Sequence, residues 1–584
     1  MKYSDQIANW LVKLGYTHCF YVGGGNIMHL IESLSKKLIC IPVIHEVAAG
    51  IATEYFNETS NGNKALALIT AGPGLTNIVT AIAGAFLESR ELLVLGGQVK
   101  TADLARGRLR QRGIQEIDGI SITSSITVNS TLLDAPVDFQ SFQSLIKHEG
   151  LNRPGPVFLE IPIDIQARVV DYHAEDSKST SKIPIINQDM VMDVASRMND
   201  AQRPVLLIGG GVSRATASRL LRKLSILNIP ILTTWNAADR VPFDQPNFMG
   251  RPNTWGQRSA NLIIQQTDLL IAVGTRLGMQ QTGFNWQKFI PIGQIVQIDI
   301  DTAELEKGHP KVDLALLGDA NTFLEALLNQ PLKDHLDWLS YARYIRSEIP
   351  LVEPINKTGP EYISPYVFAE KISKVCGDTD VIIPCSSGGA FTIMMQTFEQ
   401  KSQQKIVTNK GLASMGYGLS GAIGAAVANP DSRVVLVEGD GGFSQNIQEI
   451  GTAAINQLNL KIFIFDDSGY ASIRATQRNY FGGAYIGCDI ATGLGLPNWE
   501  KLFAVWDVPA LRLTSDFASD QQFQTLFESK GVIAFIVPID PEQTYLPKIT
   551  SRITEVGSME SNPLHLMTPD LPEEQYARVA KYLI

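Results

Sequence analysis

The chain has 584 residues, enough for roughly three or four domains. A composition of 45% hydrophobic and 18% charged residues is ordinary for a globular enzyme and excludes wholesale disorder. A formal net charge of −10 with a pI near 5.4, and no long basic run, argues against a nucleic-acid-binding surface. Cys19, Cys40, Cys376, Cys385 and Cys488 stand far apart without C-x-x-C spacing, so buried thiols in a reducing compartment are expected rather than a metal cluster or a disulfide framework. The stretch Met1 to Gln6 lacks an apolar signal core and no run reaches the ~18 apolar residues of a membrane span, so a cytoplasmic protein without a membrane partner is expected.

Along the chain, short apolar runs alternate with amphipathic stretches, the signature of parallel sheets covered by helices. Leu38 to Ile44 predicts a strand that stops at His45-Glu46, where a small-residue helix begins; alone, Glu46 reads as a first-turn acid favoured by the helix dipole. Ala65 to Ile69 predicts a strand leading into Gly72-Pro73-Gly74 and a helix, and Gln115 by itself reads as a surface helix cap. The polar stretch Asp171 to Asp189 reads as an interdomain linker. Val205 to Ile208 followed by Gly209-Gly210-Gly211 is a strand, a glycine turn and a helix start, a pattern that many nucleotide-free α/β domains share. A second linker is expected near Ile349 to Pro365, and Met415, inside Ala413 to Gly418, reads alone as a core gap-filler.

The most informative segment follows. Arg433 to Val437 predicts a buried strand, and Gly439-Asp440-Gly441-Gly442 after it lets the backbone turn its N–H groups toward phosphate oxygens. Lys461 to Phe465 predicts the next strand, ending in Asp466-Asp467-Ser468-Gly469. The 27 positions from Asp440 to Asp467 suffice for one helix and one returning parallel strand, so both carboxylates can emerge at one sheet edge. With a carbonyl near Gly469, diphosphate oxygens and water, they would complete an octahedral Mg²⁺ shell. The bland alternative is a tight turn and a solvated strand end. Residues 65–74 echo residues 434–442 weakly, as a duplication would, and the chain turns irregular after about residue 545.

The long-range pairing resembles the thiamine diphosphate motif, whose second half is usually Asn-Asn where this chain has Asp466-Asp467; Asp467 keeps an oxygen ligand, and the extra charge bears on metal preference. Over nearly its full length the chain resembles the acetohydroxyacid synthase branch of thiamine diphosphate enzymes, through Ala71 to Asn77, Gly97-Gln98-Val99, Gln115-Glu116, Arg153 to Val157 and Ala413 to Gly418. The resemblance implies three doubly wound parallel-sheet α/β domains: a pyrimidine-binding domain over 1–175, an FAD-binding-like domain over 190–340, and a diphosphate- and Mg²⁺-binding domain over 362–545; the irregular stretch over 546–584 reads as a tail or lid, or else as a disordered tail. It further implies that Glu46 protonates the cofactor's pyrimidine ring, that Gln115 lines the reaction site, that Met415 wedges the cofactor into a V shape, and that Gly439 to Gly442 and Ile473 contact it. The family's flavin contacts fall on Gly209 to Gly211, Thr234, Gly250, Gly274-Thr275-Arg276, Asp299-Ile300-Asp301 and Gly318-Asp319-Ala320, so FAD without redox work is expected. Arg276-Leu277-Gly278-Met279-Gln280 nevertheless departs from the family's Arg-Phe-Asp-Asp-Arg.

Gln280 stands where that family has the Arg that pairs with the acceptor carboxylate, and Thr476 where it has a Trp that narrows the pocket. Loss of cation and bulk points to an acceptor larger and more polar than a second 2-oxo acid. Leu109 to Asp118 and Ser468 to Asn479 resemble the YerE-type subgroup of branched-sugar and surface-polysaccharide pathways, in which the acetyl unit of pyruvate passes to the ketone of a nucleotide-linked deoxysugar. Arg474 and Arg478 are candidates for the nucleotide's diphosphate, or else solvated helix charges. The expected activity is that of a carboligase with pyruvate as donor and a ketone or aldehyde as acceptor, the alternatives being an acetolactate synthase and a pyruvate oxidase-type flavoenzyme. A homodimer or homotetramer with sites at the subunit interface is expected with it.

Overall fold

The computed structural model describes residues 1–147, 153–171, 186–553 and 555–583, so most of the linker from Asp171 to Asp189 lies outside the described residues. Three parallel sheets follow one another, as the resemblance implies. The first comprises β1 (Tyr16–Tyr21), β2 (Ile39–Pro42), β3 (Lys64–Ile69), β4 (Leu92–Gln98), β5 (Asn129–Leu132) and β6 (Pro156–Pro162), in the order β2-β1-β3-β4-β6-β5. The second comprises β7 (Pro204–Ile208), β8 (Ile231–Thr233), β9 (Leu269–Val273), β10 (Gln294–Asp299) and β11 (Leu314–Leu317), in the order β11-β10-β9-β7-β8. The third comprises β12 (Val381–Ile383), β13 (Lys405–Ile406), β14 (Val434–Gly439), β15 (Leu460–Asp466), β16 (Ala510–Arg512) and β17 (Ile533–Pro538), in the order β13-β12-β14-β15-β17-β16.

Central strands such as β3, β4, β7 and β15 are apolar along almost their whole length because helices cover both sheet faces and leave no solvated side. Numbered from its own start, the third sheet repeats the strand order of the first. Strands β3 and β14 occupy equivalent places, so the faint sequence echo is carried by the topology.

The chain forms two compact units. One holds the first sheet and all of the third except β13, residues 1–182, 379–388 and 407–538, around a shared core that includes Phe20, Ile51, Leu75, Ile423, Leu436 and Ile462. Within it the helices Glu46–Thr59 and Tyr417–Ala428 pack closely, because a Cβ at Gly424 would lie 2.0 Å from the carbonyl oxygen of Ala52. The other unit holds the second sheet, residues 389–406 and the C-terminal residues 539–584, of which Leu564, Met567, Val579 and Ala580 enter a core with Leu262, Ile263 and Trp338. The irregular C-terminal stretch is thus packed against the middle segment. Among the described residues no helix is long and apolar enough to cross a membrane.

Candidate functional site

Strands β14 and β15 are neighbours in parallel register, Gly439 opposite Phe465, so Asp440 and Asp467 leave the same edge of the third sheet. Asp440 opens a single helical turn, Asp440–Phe443, and is fully buried. Its Oδ1 accepts the Gly441 N–H at 2.6 Å and its Oδ2 the Gly469 N–H at 3.1 Å, which ties the two strand ends together. Only glycine fits at 441, where a Cβ would lie 2.3 Å from the Tyr470 ring. Asp467 Oδ1 accepts from Arg474 Nη2 at 2.7 Å, and the same nitrogen donates to the Asp467 carbonyl at 2.7 Å. Burial pushes both carboxyls up, and the charge of Asp467 adds to the effect at Asp440, whereas Arg474 opposes it at Asp467.

Buried acids held near one another in this way suit a cation. Among the described residues no cluster of three or more His, Cys, Asp or Glu could hold a metal, so a Mg²⁺ here would use Asp440, Asp467, a carbonyl such as that of Gly469, and oxygens of its ligand. Arg474 is 2% exposed and occupied with Asp467, so it neither faces a nucleotide nor sits in solvent. Both expectations for it are corrected: the buried Asp467 carboxylate, at the strand end before the helix Ala471–Phe481, captured the side chain from that helix's first turn.

Met415 reaches the same place from the end of β13. Gly416 takes φ +80° before the helix Tyr417–Ala428, Asn446 Nδ2 donates to the Gly416 carbonyl at 2.6 Å, and Gln445 Nε2 lies 3.7 Å from Met415 Sδ. The Met415 turn is therefore fastened to the residues just after Gly442. Met415 and Ile473 are 38% and 46% exposed, unusual for large apolar side chains beside buried charge. Sequence reasoning missed Glu438, on β14 itself. It is buried beside the start of that helix, burial pushes its carboxyl up to about 8 while the nearby backbone of Gly418 and Leu419 opposes this, and its Oε2 has no hydrogen-bond partner among the described residues. An acid ending an apolar strand was the available signal.

Glu46 begins the helix Glu46–Thr59 at the end of β2, and His45 caps it by accepting the Val47 N–H at 3.2 Å through Nδ1. Glu46 Oε2 accepts from Asn77 Nδ2 at 2.9 Å, while Oε1 faces Gly74, where a Cβ would stand 3.6 Å away. Gln115 reaches this turn as well: it is exposed with φ +62°, and its carbonyl crowds Gly72 so closely that a Cβ there would lie 2.2 Å from it. The strand end before Glu46 is held by Glu449, a second residue the sequence did not single out, which accepts from Ile44 N at 3.1 Å and His45 N at 3.0 Å. Among the described residues no hydrogen bond joins Glu46 to Asp440 or Asp467.

In the second sheet the expected flavin contacts fall after five successive strands at one edge. Gly209 to Gly211 follow β7, Thr234 follows β8, Gly274 and Arg276 follow β9, Asp299 and Ile300 close β10, and Asp319 follows β11. Ligands bind at such carboxyl edges in open α/β sheets. Part of the glycine pattern has a purely internal cause, because a Cβ at Gly209 would lie 2.2 Å from the Gly274 carbonyl oxygen. Asp319 caps the helix Ala320–Leu327, and burial pushes Asp299 up to about 6. Thr233 Oγ1 and Gln297 Oε1 are buried without a partner among the described residues, which fits a polar ligand at this edge.

Gln280 is exposed, with its carbonyl taken by Thr254 N at 2.9 Å, and Thr476 is exposed, with its hydroxyl donating to Ser472 O at 2.9 Å. Neither brings a cation. A cavity of about 830 Å³ lined by Val128, Thr131, Leu133, Val137 and Leu145 contains none of the site residues.

The sequence matches the thiamine pyrophosphate enzyme N-terminal TPP binding domain over residues 1–122, the central domain over 191–327 and the C-terminal TPP binding domain over 387–537. It is 30% identical over 554 residues to acetolactate synthase isozyme 1 large subunit of Escherichia coli, covering 94% of this chain and 95% of the relative. It is 29% identical over 577 residues to a probable acetolactate synthase large subunit of Methanocaldococcus jannaschii, covering 95% of each. With acetolactate synthase isozyme 2 large subunit of Escherichia coli it shares 28% over 561 residues, 93% of this chain and 97% of the relative.

Proposed function

The chain belongs to the thiamine pyrophosphate enzyme family, and on that premise we propose that it decarboxylates pyruvate and joins the resulting acetyl unit to a ketone or aldehyde acceptor. The observation that carries this reading is the meeting of Asp440 and Asp467 at the ends of β14 and β15, with the Met415 turn fastened beside them. Thiamine diphosphate, when bound, supplies the carbon nucleophile and electron sink that decarboxylation of a 2-oxo acid requires. The chain's own part is to hold and aim. Asp440, Asp467 and the Gly469 carbonyl would hold a Mg²⁺, and the Gly439 to Gly442 turn would receive the diphosphate. Met415 and Ile473 give apolar walls. Glu46, anchored at Oε2 by Asn77, keeps Oε1 available to hold and exchange a proton with the pyrimidine ring. Gln115 presents its side chain beside this turn from a left-handed backbone.

In this reading FAD lies at the carboxyl edge of the second sheet and does no redox work. Copies of the chain pair so that Glu46 of one serves the diphosphate end of another. The uncharged Gln280 and small Thr476 support an acceptor other than a second 2-oxo acid, a nucleotide-linked keto-deoxysugar among the candidates. A second reading, acetolactate synthase with pyruvate in both roles, is supported by the names of the relatives. One incubation with thiamine diphosphate, Mg²⁺, pyruvate and a panel of carbonyl acceptors separates them. Ligated acceptor supports the first reading and acetolactate as sole product the second, while acetate with peroxide would overturn both in favour of a flavin oxidase. A fully active protein with no flavin in its acid extract would remove FAD.

A further inference from the structure

The loop between β4 and Gln115 carries charge that none of the chemistry above uses. Arg106, Arg108, Arg110 and Arg112 are all exposed, and Glu116 is the sole acid in the sequence from 104 to 117, in a chain of net charge −10. Arg106 pairs with Asp134 at 3.2 Å, but the guanidinium groups of Arg108 and Arg110 have no hydrogen bond or ion pair with any described residue. The loop is built rather than slack. The Glu116 carboxylate accepts the backbone N–H of Ala105 on one side and those of Arg112 and Gly113, each at 2.9 Å, on the other. Burial opposes ionisation of Glu116, yet these N–H groups and the Arg112 guanidinium hold its carboxyl below the usual range. Gly113 sits against Val99, where a Cβ would lie 2.6 Å from Cγ1, and the chain then delivers Gln115 to the Gly72–Gly74 turn that faces Glu46. A pinned base therefore displays guanidinium groups a few residues from the candidate reaction site.

We propose that Arg108, Arg110 and Arg112 form an anion-binding arm for the acceptor, which carries a phosphate or diphosphate group remote from its reacting carbonyl. This rests on the carboligase reading. Exposed guanidinium groups in one short loop repel one another, and their planar donor forks match phosphate oxygens. On an acidic molecule such a patch also concentrates and orients an anionic substrate that the remaining surface repels. A lone carboxylate such as that of pyruvate calls for one cation, whereas three suit the paired charges of a diphosphate.

The test uses enzyme saturated with thiamine diphosphate, Mg²⁺ and FAD, so that the resident diphosphate sites are filled, and titrates UDP and glucose 1-phosphate calorimetrically at two salt concentrations. The triple variant Arg108→Gln, Arg110→Gln, Arg112→Gln should bind UDP at least ~10-fold more weakly than the parent, and the corresponding triple Lys variant should retain most of the affinity because charge is kept. Parent binding should weaken as salt rises. A loss for UDP alone identifies a diphosphate group as the ligand; an equal loss for glucose 1-phosphate identifies any phosphate ester. Equal binding by parent and Gln variant, or no parent binding of either probe at millimolar concentration, overturns the arm. Pyruvate turnover is scored separately: failure of the parent with every acceptor would sink the carboligase reading while leaving the binding result to stand or fall alone.

Discussion

Glu46 divides its two oxygens, Oε2 to the Asn77 amide and Oε1 toward Gly74. Glu46→Gln keeps an acceptor for Asn77 but cannot carry a proton. It should retain thiamine diphosphate in a fluorescence titration while pyruvate turnover falls by roughly 10²–10⁴. Near-normal turnover would remove the acid–base role. The Asp467–Arg474 pair makes a different single-residue statement, because the partners are 5% and 2% exposed and each is the other's charge compensation. Breaking such a pair from one side typically costs about 3–5 kcal/mol, while replacing both partners by uncharged groups costs less. In cofactor-free protein, Asp467→Asn and Arg474→Met should each lower stability to denaturant, and the double variant should recover at least ~1 kcal/mol relative to additivity. Additive losses would mean that the pair is not an energetic unit.

At the scale of elements, the two helices that start at Glu46 and just after Met415 are locked by contact of backbone with backbone. The Ala52 carbonyl cannot swing aside as a side chain would, so Gly424→Ala must push the helices apart. It should cost about 1–3 kcal/mol in urea unfolding and lower turnover as well, because both site turns move; an unchanged denaturation midpoint would show that the helices part freely. Strand β6 supplies a pH effect. Burial pushes Glu160 up to about 8, with Asp118 and Glu116 adding to it and the Gln98 hydrogen bond opposing it. Its folded value lies above its unfolded one, so its contribution is full below about pH 4.5 and is lost as pH rises through about 8. Glu160→Gln should therefore gain up to a few kcal/mol over the parent at pH 8 and little at pH 4.5, measured by urea midpoints at both. A gain independent of pH would contradict the assignment.

For the whole molecule the question is where a complete site is assembled. Glu46, the proposed proton-exchanging group, lies with the first sheet and Asp440, the proposed metal ligand, with the third, and the hydrogen bonds of each stay on its own side. If sites form at a twofold interface, mixing Glu46→Gln chains with Asp440→Ala chains yields hybrid dimers in which one site carries both lesions and the other neither. Co-expression with two affinity tags should then recover activity in the doubly tagged fraction, although each variant alone is inactive. An inactive hybrid of proven composition would place Glu46 and Asp440 of a single chain in one site, or couple the two sites obligately.

Local order and loop length were enough to foresee much of this protein. An apolar strand followed by Gly439 to Gly442, and a second strand ending in Asp467 at a distance that allows one helix between them, leave the carboxylates little freedom except to meet, because a right-handed parallel crossover returns to the same sheet edge. Glu46 was likewise marked by its place at a strand end. What holds these residues was decided only by tertiary structure. Glu449 supports the backbone before Glu46 across 405 positions of sequence, and no period or motif encodes such a contact. Arg474, on the helix Ala471–Phe481, looked like surface charge because helix periodicity does not reveal which carboxylate lies beneath. The arginines before Gln115 became a directed patch only when Glu116 gathered both ends of their loop. Sequence specifies which groups a strand end presents; a buried charge finds its partner only once packing has removed the water that would otherwise satisfy it.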